Sequence, residues 1–184
     1  MKRFVSLSST VFGLMMLAFA VLVTVDTIAR KLLNFSFQGT DELGGYALAV
    51  GSSLAFTVAL IERAHIRIDL VHVKLPVIAQ AVLNWLSSLL LAAFALMLVW
   101  VCYSVIVDTI SYRSTAATPW ATPLIYPQSV WYAALIVFAL AAVWLALRAT
   151  LLLVRNRIEQ LNIDYHPKGA IEELKEELKD IVER

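Results

Sequence analysis

The stretch that decides the fold lies at residues 77–110 and reads VIAQAVLNWLSSLLLAAFALMLVWVCYSVIVDTI. At ~1.5 Å of rise per residue, a helix of this length extends for about 50 Å, whereas the hydrocarbon core of a bilayer is about 30 Å thick. Tilting the helix would absorb only part of that difference. The stretch therefore predicts a transmembrane helix that projects beyond the membrane core.

Apolar runs of spanning length recur along the chain. The predicted spans are residues 4–25, 43–61, 83–107 and 129–154. The composition agrees, since 60% of the residues are hydrophobic and the mean hydropathy is +0.77, against roughly 45–50% apolar residues in soluble domains. The first run also imitates a secretory signal, with Ala18-Phe19-Ala20 as a small-x-small site, but it stays apolar beyond that site. We therefore expect a retained helix and an all-α membrane protein of four spans, with residues 1–157 as its transmembrane domain.

Charge and cysteine content exclude several classes of function. The net charge of +1 provides no basic surface for nucleic acid. One cysteine, Cys102, and three histidines cannot form a structural zinc or iron–sulfur site. No histidine falls within a span, as a transmembrane cytochrome or an intramembrane serine protease would require. The sequence predicts no cofactor, no metal site and no enzymatic activity.

Basic residues near the span ends predict the orientation. The N-terminus, the loop between spans two and three and the end of span four together carry eight Lys and Arg, whereas the other side carries three. Because cytoplasmic loops hold the excess of positive charge, both termini are expected in the cytoplasm.

Two segments are too polar to cross the membrane. Residues 63–76 mix charges with regularly spaced aliphatic side chains, which predicts an interfacial segment anchored by His65, Arg67, Asp69 and Lys74. Residues 158–184 form an acidic tail, in which a helical spacing of apolar residues predicts a short amphipathic cytoplasmic helix. Its apolar positions are Ile171, Leu174, Leu178 and Ile181.

Ionisable residues near the span ends are possible functional groups. Asp26 and Arg30 are spaced for a local ion pair, and Glu62 and Arg148 lie at the same side of the membrane, where they could pair across the bundle. Asp41 and Glu42 follow Thr40, a plausible N-cap. Both acids would therefore lie in the first turn of the second helix, where negative charge interacts favourably with the positive end of the helix dipole. Pairing, snorkelling or capping explains these groups better than an ion path does, because none lies near the membrane centre.

A strip of small residues marks the second span. It consists of Ala47, Gly51, Ala55 and Ala59. Such a strip lets another helix backbone approach closely. Two interpretations stay open at this point: packing within the four-helix unit, and docking of a second subunit.

These features together resemble the small membrane subunit, DctQ type, of TRAP (tripartite ATP-independent periplasmic) transporters. The resemblance covers roughly residues 4–157. It rests on Gly39-Thr40-Asp41-Glu42-Leu43 before the second helix, on His65-Ile66-Arg67-Ile68-Asp69 after it, with Leu75-Pro76 following, and on the Thr-Pro-Trp loop before the fourth helix. The acidic tail from Ile158 is not part of it.

The resemblance implies a bacterial inner-membrane protein that works with a large membrane subunit and a periplasmic substrate-binding protein. Membrane lipids are further partners, since the interfacial segment would lie at their headgroups. The complex would import organic acids or similar solutes with a sodium gradient and without ATP, and the small subunit would be a static scaffold. The alternative is an autonomous homo-oligomeric channel or small exporter, although an exporter would need an acid deep in a span. A third possibility is a regulatory membrane anchor that acts through its amphipathic tail.

Overall fold

The computed structural model describes residues 2–36, 39–62 and 75–165. Five helices account for most of this part of the chain. They are α1 (Lys2–Leu33), α2 (Thr40–Glu62), α3 (Val77–Tyr112), α4 (Ile125–Val154) and α5 (Ile158–Tyr165). Helices α1 to α4 contain the stretches long and apolar enough to cross a membrane: Phe12–Leu33, Glu42–Glu62, Val77–Tyr112 and Ile125–Val154. The prediction of an all-α membrane protein with four spans is confirmed.

The helix bounds differ from the predicted spans mainly at α1, which continues eight residues beyond position 25, and at α3, which extends beyond both ends of the span 83–107. Residues 63–74, with the predicted anchors His65, Arg67, Asp69 and Lys74, lie outside the described residues. The same holds for residues 166–184, with the predicted amphipathic helix.

Two long helices end in the same way. Arg113 after α3 and Asn156 after α4 both adopt the left-handed conformation, with φ of 48° and 53°. The next amide in each case reaches back five residues, from Ser114 to the Thr109 carbonyl (3.0 Å) and from Arg157 to the Leu152 carbonyl (2.9 Å). This Schellman arrangement satisfies carbonyls that would otherwise be exposed at the helix end. It also turns the chain sharply, so that α5 begins two residues after Asn156.

The chain divides into two compact units, Met1–Val58 with Ala95–Ala139 (unit 1) and Ala59–Phe94 with Leu140–Arg184 (unit 2). In unit 1, aromatic rings of α1 lie on glycines of α2, Phe12 on Gly51 and Phe19 on Gly44. Phe56 of α2 contacts Phe138 of α4, with ring centroids 5.8 Å apart. Glycine removes the side chain that would separate two backbones, so it permits this close packing of bulky rings.

In unit 2, the core consists of small and aliphatic side chains. It comprises Ala81, Ala149, Leu152 and Leu161, with Trp85, Leu153, Ile158 and Tyr165 packed around them. The alanines of α3 and α4 bring these helices close together, and Leu161 of α5 is fully buried between its neighbours. Helix α5 is therefore part of the packed unit.

Candidate functional site

A buried carboxylate joins the loop before α4 to the start of α2. Glu42 is 8% exposed and accepts a hydrogen bond from the Tyr46 hydroxyl (2.7 Å). The Thr118 hydroxyl donates to its other oxygen, Oε2, and the Thr122 hydroxyl lies beside the same carboxylate. We refer to Glu42, Tyr46, Thr118 and Thr122 as the loop clasp. Because Thr118 and Thr122 lie on the loop, the clasp holds residues 113–124 against the start of α2 in unit 1.

The loop is also ordered internally. The Ala116 amide donates to the Thr122 carbonyl (2.9 Å), and the Leu124 amide donates to the Ser114 carbonyl (3.1 Å). These bonds bring Thr115 opposite Pro123 in an isolated antiparallel bridge. The proline-rich loop is therefore a short hairpin-like turn that presents a defined surface.

Trp120 at the tip of this turn lies against Gly39. Gly39 has a φ of +95°, and a Cβ atom added there would lie 2.7 Å from the Trp120 ring. Both the backbone conformation and the close approach require glycine at this position. The loop clasp and the Gly39–Trp120 contact together fix the loop.

A second buried acid holds the end of α1. Asp26 is 2% exposed, and its carboxylate lies 2.6 Å from Nη2 of Arg30, the partner that the spacing predicted. The Ser36 hydroxyl, beyond the helix end, donates to Oδ1 of Asp26 (3.1 Å). The acid thus stabilises the turn that leads from α1 towards α2.

The four members of the small-residue strip differ in burial. Gly51 is buried beneath the Phe12 ring of α1, which supports packing within the chain at this position. Ala47, Ala55 and Ala59 are only half-buried. The second glycine under a ring is Gly44, which the strip did not include. We call the two contacts Gly44–Phe19 and Gly51–Phe12 the glycine seam.

Unit 2 contains a polar network that the sequence analysis did not identify. Asn84 of α3 is 1% exposed, and its Nδ2 donates to Oδ1 of Asn162 in α5 (3.1 Å). Nδ2 of Asn162 donates to the Val77 carbonyl at the start of α3 (3.0 Å). The Tyr165 hydroxyl donates to the Leu145 carbonyl of α4 (2.6 Å). Helix α5 is therefore bound to both α3 and α4.

Arg148 belongs to the same network. Its Nη2 lies 2.6 Å from Oδ2 of Asp164 in α5, and its guanidinium lies 5.7 Å from the centroid of the Trp144 ring. The sequence suggested Glu62 as a partner of Arg148, and the structure gives it Asp164. We refer to Asn84, Arg148, Asn162, Asp164 and Tyr165 as the α5 dock.

Replacing Asn162 by Ala is expected to loosen the α5 dock. The change removes two neutral hydrogen bonds, and we expect the free energy of unfolding to fall by about 1 kcal/mol. Titration of the detergent-solubilised chain with SDS, followed by circular dichroism, measures it. The control is Glu159→Ala, which alters an exposed residue of the same helix. Equal stability of the two variants would contradict the role assigned to Asn162.

The described residues were also compared with the requirements of a metal site. Among them, no group of three or more His, Cys, Asp and Glu side chains could hold a metal ion. Glu62 ends α2, and Asp41 lies in the first turn of that helix. Within unit 1 the loop is held in place, and within unit 2 helix α5 is held in place.

Four apolar helices with these packed ends define the chain as a multi-pass α-helical membrane protein. Residues 19–155 match the profile of the family described as tripartite ATP-independent periplasmic transporters, DctQ component. The chain belongs to this family and is a small membrane subunit of a TRAP transporter. Comparison with curated proteins and with solved structures gave no significant match.

Proposed function

We propose that this chain is the stationary scaffold of a sodium-driven TRAP transporter in a bacterial inner membrane. A large membrane subunit would carry the solute and sodium sites, and a periplasmic binding protein would deliver organic acids or similar solutes. Family membership supports a role in such a complex. In this proposal the chain has no catalytic activity and contributes packing surfaces and anchoring.

One observation carries this proposal: the two acids buried in the described helices hold neighbouring loops in place. Two acids are buried there, Asp26 and Glu42, and each binds a residue of a neighbouring loop. An ion or proton path needs ionisable groups that can exchange their partners within the membrane. Acids that are engaged in local hydrogen bonds of this kind favour a rigid support instead. Sodium-dependent uptake by liposomes with and without this chain tests the proposal.

The proposed contact with the large subunit falls on the half-buried part of the small-residue strip. Gly51 is covered by Phe12, so Ala47, Ala55 and Ala59 are the positions available for close approach of another helix. Lipid headgroups on the cytoplasmic side would bind Arg67 and Lys74 of the proposed interfacial segment.

The proposed orientation places both termini in the cytoplasm, and the loop clasp on the periplasmic side. In a Cys102→Ala background, a cysteine at Ala117 is expected to react with an impermeant thiol reagent added outside spheroplasts, and a cysteine at Glu159 is not. Both positions are exposed, so accessibility within the chain does not distinguish them. After the membrane is permeabilised, both should react, which controls for reactivity. Labelling of the Glu159 position from outside would contradict this orientation.

A further inference from the structure

The C-terminal third of α3 carries polar side chains on the face that unit 1 leaves uncovered. The opposite face is marked by Cys102 and Thr109, which are both buried. Ser104 and Ser111 each follow one of them by two residues, which is about 200° around the helix at ~3.6 residues per turn, and both serines are exposed. Together with two exposed neighbours they form a surface that we call the polar stripe: Trp100, Ser104, Asp108 and Ser111.

Asp108 is the charged member of the polar stripe. Within the part of the chain that the structure describes, its carboxylate forms neither an ion pair nor a side-chain hydrogen bond. The buried acids Asp26 and Glu42, by contrast, are both bound by residues of a neighbouring loop. The Ser111 hydroxyl donates to the Val107 carbonyl (2.8 Å), so its oxygen can still accept a hydrogen bond. The polar stripe therefore offers a negative charge and hydrogen-bond acceptors to a neighbouring molecule.

Neither lipid nor water suits this end of α3. The polar stripe extends over about 16 Å at ~1.5 Å per residue, whereas a headgroup layer is only about 5–8 Å thick. Part of this end would therefore lie in hydrocarbon, where a carboxylate is costly, or in water, where large apolar side chains would be exposed. These side chains are Tyr103, Ile110 and Tyr112, which are 56%, 60% and 79% exposed. A protein surface that provides both apolar groups and a cation satisfies both requirements.

We propose that the polar stripe is a contact surface for a transmembrane helix of the large membrane subunit, and that this helix carries a lysine or an arginine opposite Asp108. The unpaired carboxylate selects a cation, because opposite charges attract strongly when water is excluded from between them. A second copy of this chain fits less well, since a twofold contact centred on the polar stripe would bring two Asp108 carboxylates together. The partner comes from the proposed function, on which this inference rests, and the contact on α3 is additional to the one proposed on α2.

The test uses the complex purified through a tag on the full chain, with the photoreactive residue p-benzoylphenylalanine in place of Ser104. After illumination, mass spectrometry is expected to find cross-links to the large subunit about tenfold above those from the same residue in place of Val105. Val105 is also exposed, but it lies about 100° away around α3. The cross-linked peptide should contain a lysine or an arginine.

Two charge changes provide a matched comparison. Asp108→Lys places like charges opposite each other and is expected to lower the amount of co-purified large subunit about tenfold. Glu159→Lys, the same charge change at an exposed position of α5, should leave that amount unchanged. Replacing the basic residue found by cross-linking with Asp should restore co-purification with the Asp108→Lys chain.

The outcomes separate this inference from the proposed function. Co-purification of the large subunit without a cross-link from the Ser104 position to it, or with a cross-link only to a second copy or to lipid, would overturn the contact and leave the proposed function standing. Equal co-purification with the two charge variants would also overturn it. Absence of the large subunit from the unaltered preparation would contradict the proposed function itself, and the contact with it. The cross-linking result requires no charge variant to fold.

Discussion

Liposomes that contain only this chain are expected to take up no organic acid and to pass no ion current under a sodium gradient. The physical reason is that the two buried acids of the described helices are bound to loop residues and are not arranged along a path. Adding the large subunit and the binding protein should produce sodium-dependent uptake. Omitting this chain from the complete mixture should return uptake to the background level, because the transporting subunit would lose its support.

The controls separate the scaffold from an autonomous channel or exporter. Liposomes with the large subunit and binding protein, but without this chain, should be checked for insertion of the large subunit. Equal insertion shows that the loss of uptake is not caused by a smaller amount of the large subunit in the membrane. A complex with Glu159→Ala, an exposed position of α5, should transport as the unaltered complex does. Conductance or uptake by the purified chain alone would contradict the scaffold and favour a homo-oligomeric channel or exporter.

The spans could be predicted because hydropathy and length determine them locally. Helix α3 shows this, since residues 77–110 are predominantly apolar and the observed helix is Val77–Tyr112. The ion pair of Asp26 with Arg30 could also be predicted from the sequence, because i, i+4 spacing on a helix brings two side chains together. Such features depend on residues close in sequence.

The clasp and the dock could not be predicted in the same way. Glu42 was interpreted as a helix-cap acid, but Thr118, a main partner, is 76 residues away. Asn84 and Asn162 are 78 residues apart, and only the fold brings them together. A polar amide in the apolar run of α3 was a usable signal, because a buried amide needs a partner. Its partner could not be named before the position of α5 was known.

The small-residue strip included only one of the two glycines that contact α1, Gly51 but not Gly44, and the reason is geometric. Residues spaced by four rotate about 40° around the helix at each step, whereas residues spaced by seven return to within about 20° of the same face. The strip from Ala47 to Ala59 therefore winds around α2. The aromatic rings of α1 contact Gly44 and Gly51, which are seven residues apart.

The glycine seam leads to the second prediction with a large effect. Leucine at Gly44 or at Gly51 is expected to lower the free energy of unfolding by at least ~2 kcal/mol, because the added side chain occupies the volume of the Phe19 or Phe12 ring. Gly45→Leu is the matched control, since no atom lies within 4 Å of a Cβ atom added there. Gly44→Leu and Gly45→Leu each replace a helical glycine, so the gain in helix propensity is the same in both variants. The difference between their free energies of unfolding therefore reports the packing against Phe19. SDS titration with circular dichroism measures all three variants.

A second substitution identifies the ring responsible. If the Phe19 ring opposes a side chain at Gly44, then Phe19→Ala should recover much of the stability lost in Gly44→Leu, because the leucine can occupy the space that the ring leaves. The same Phe19→Ala change in the chain with Gly44 should be destabilising, since it opens a cavity between α1 and α2. The coupling energy of this double-mutant cycle is therefore expected to be large and favourable. Additive effects, or equal losses at Gly44 and Gly45, would show that α1 does not pack on this face of α2.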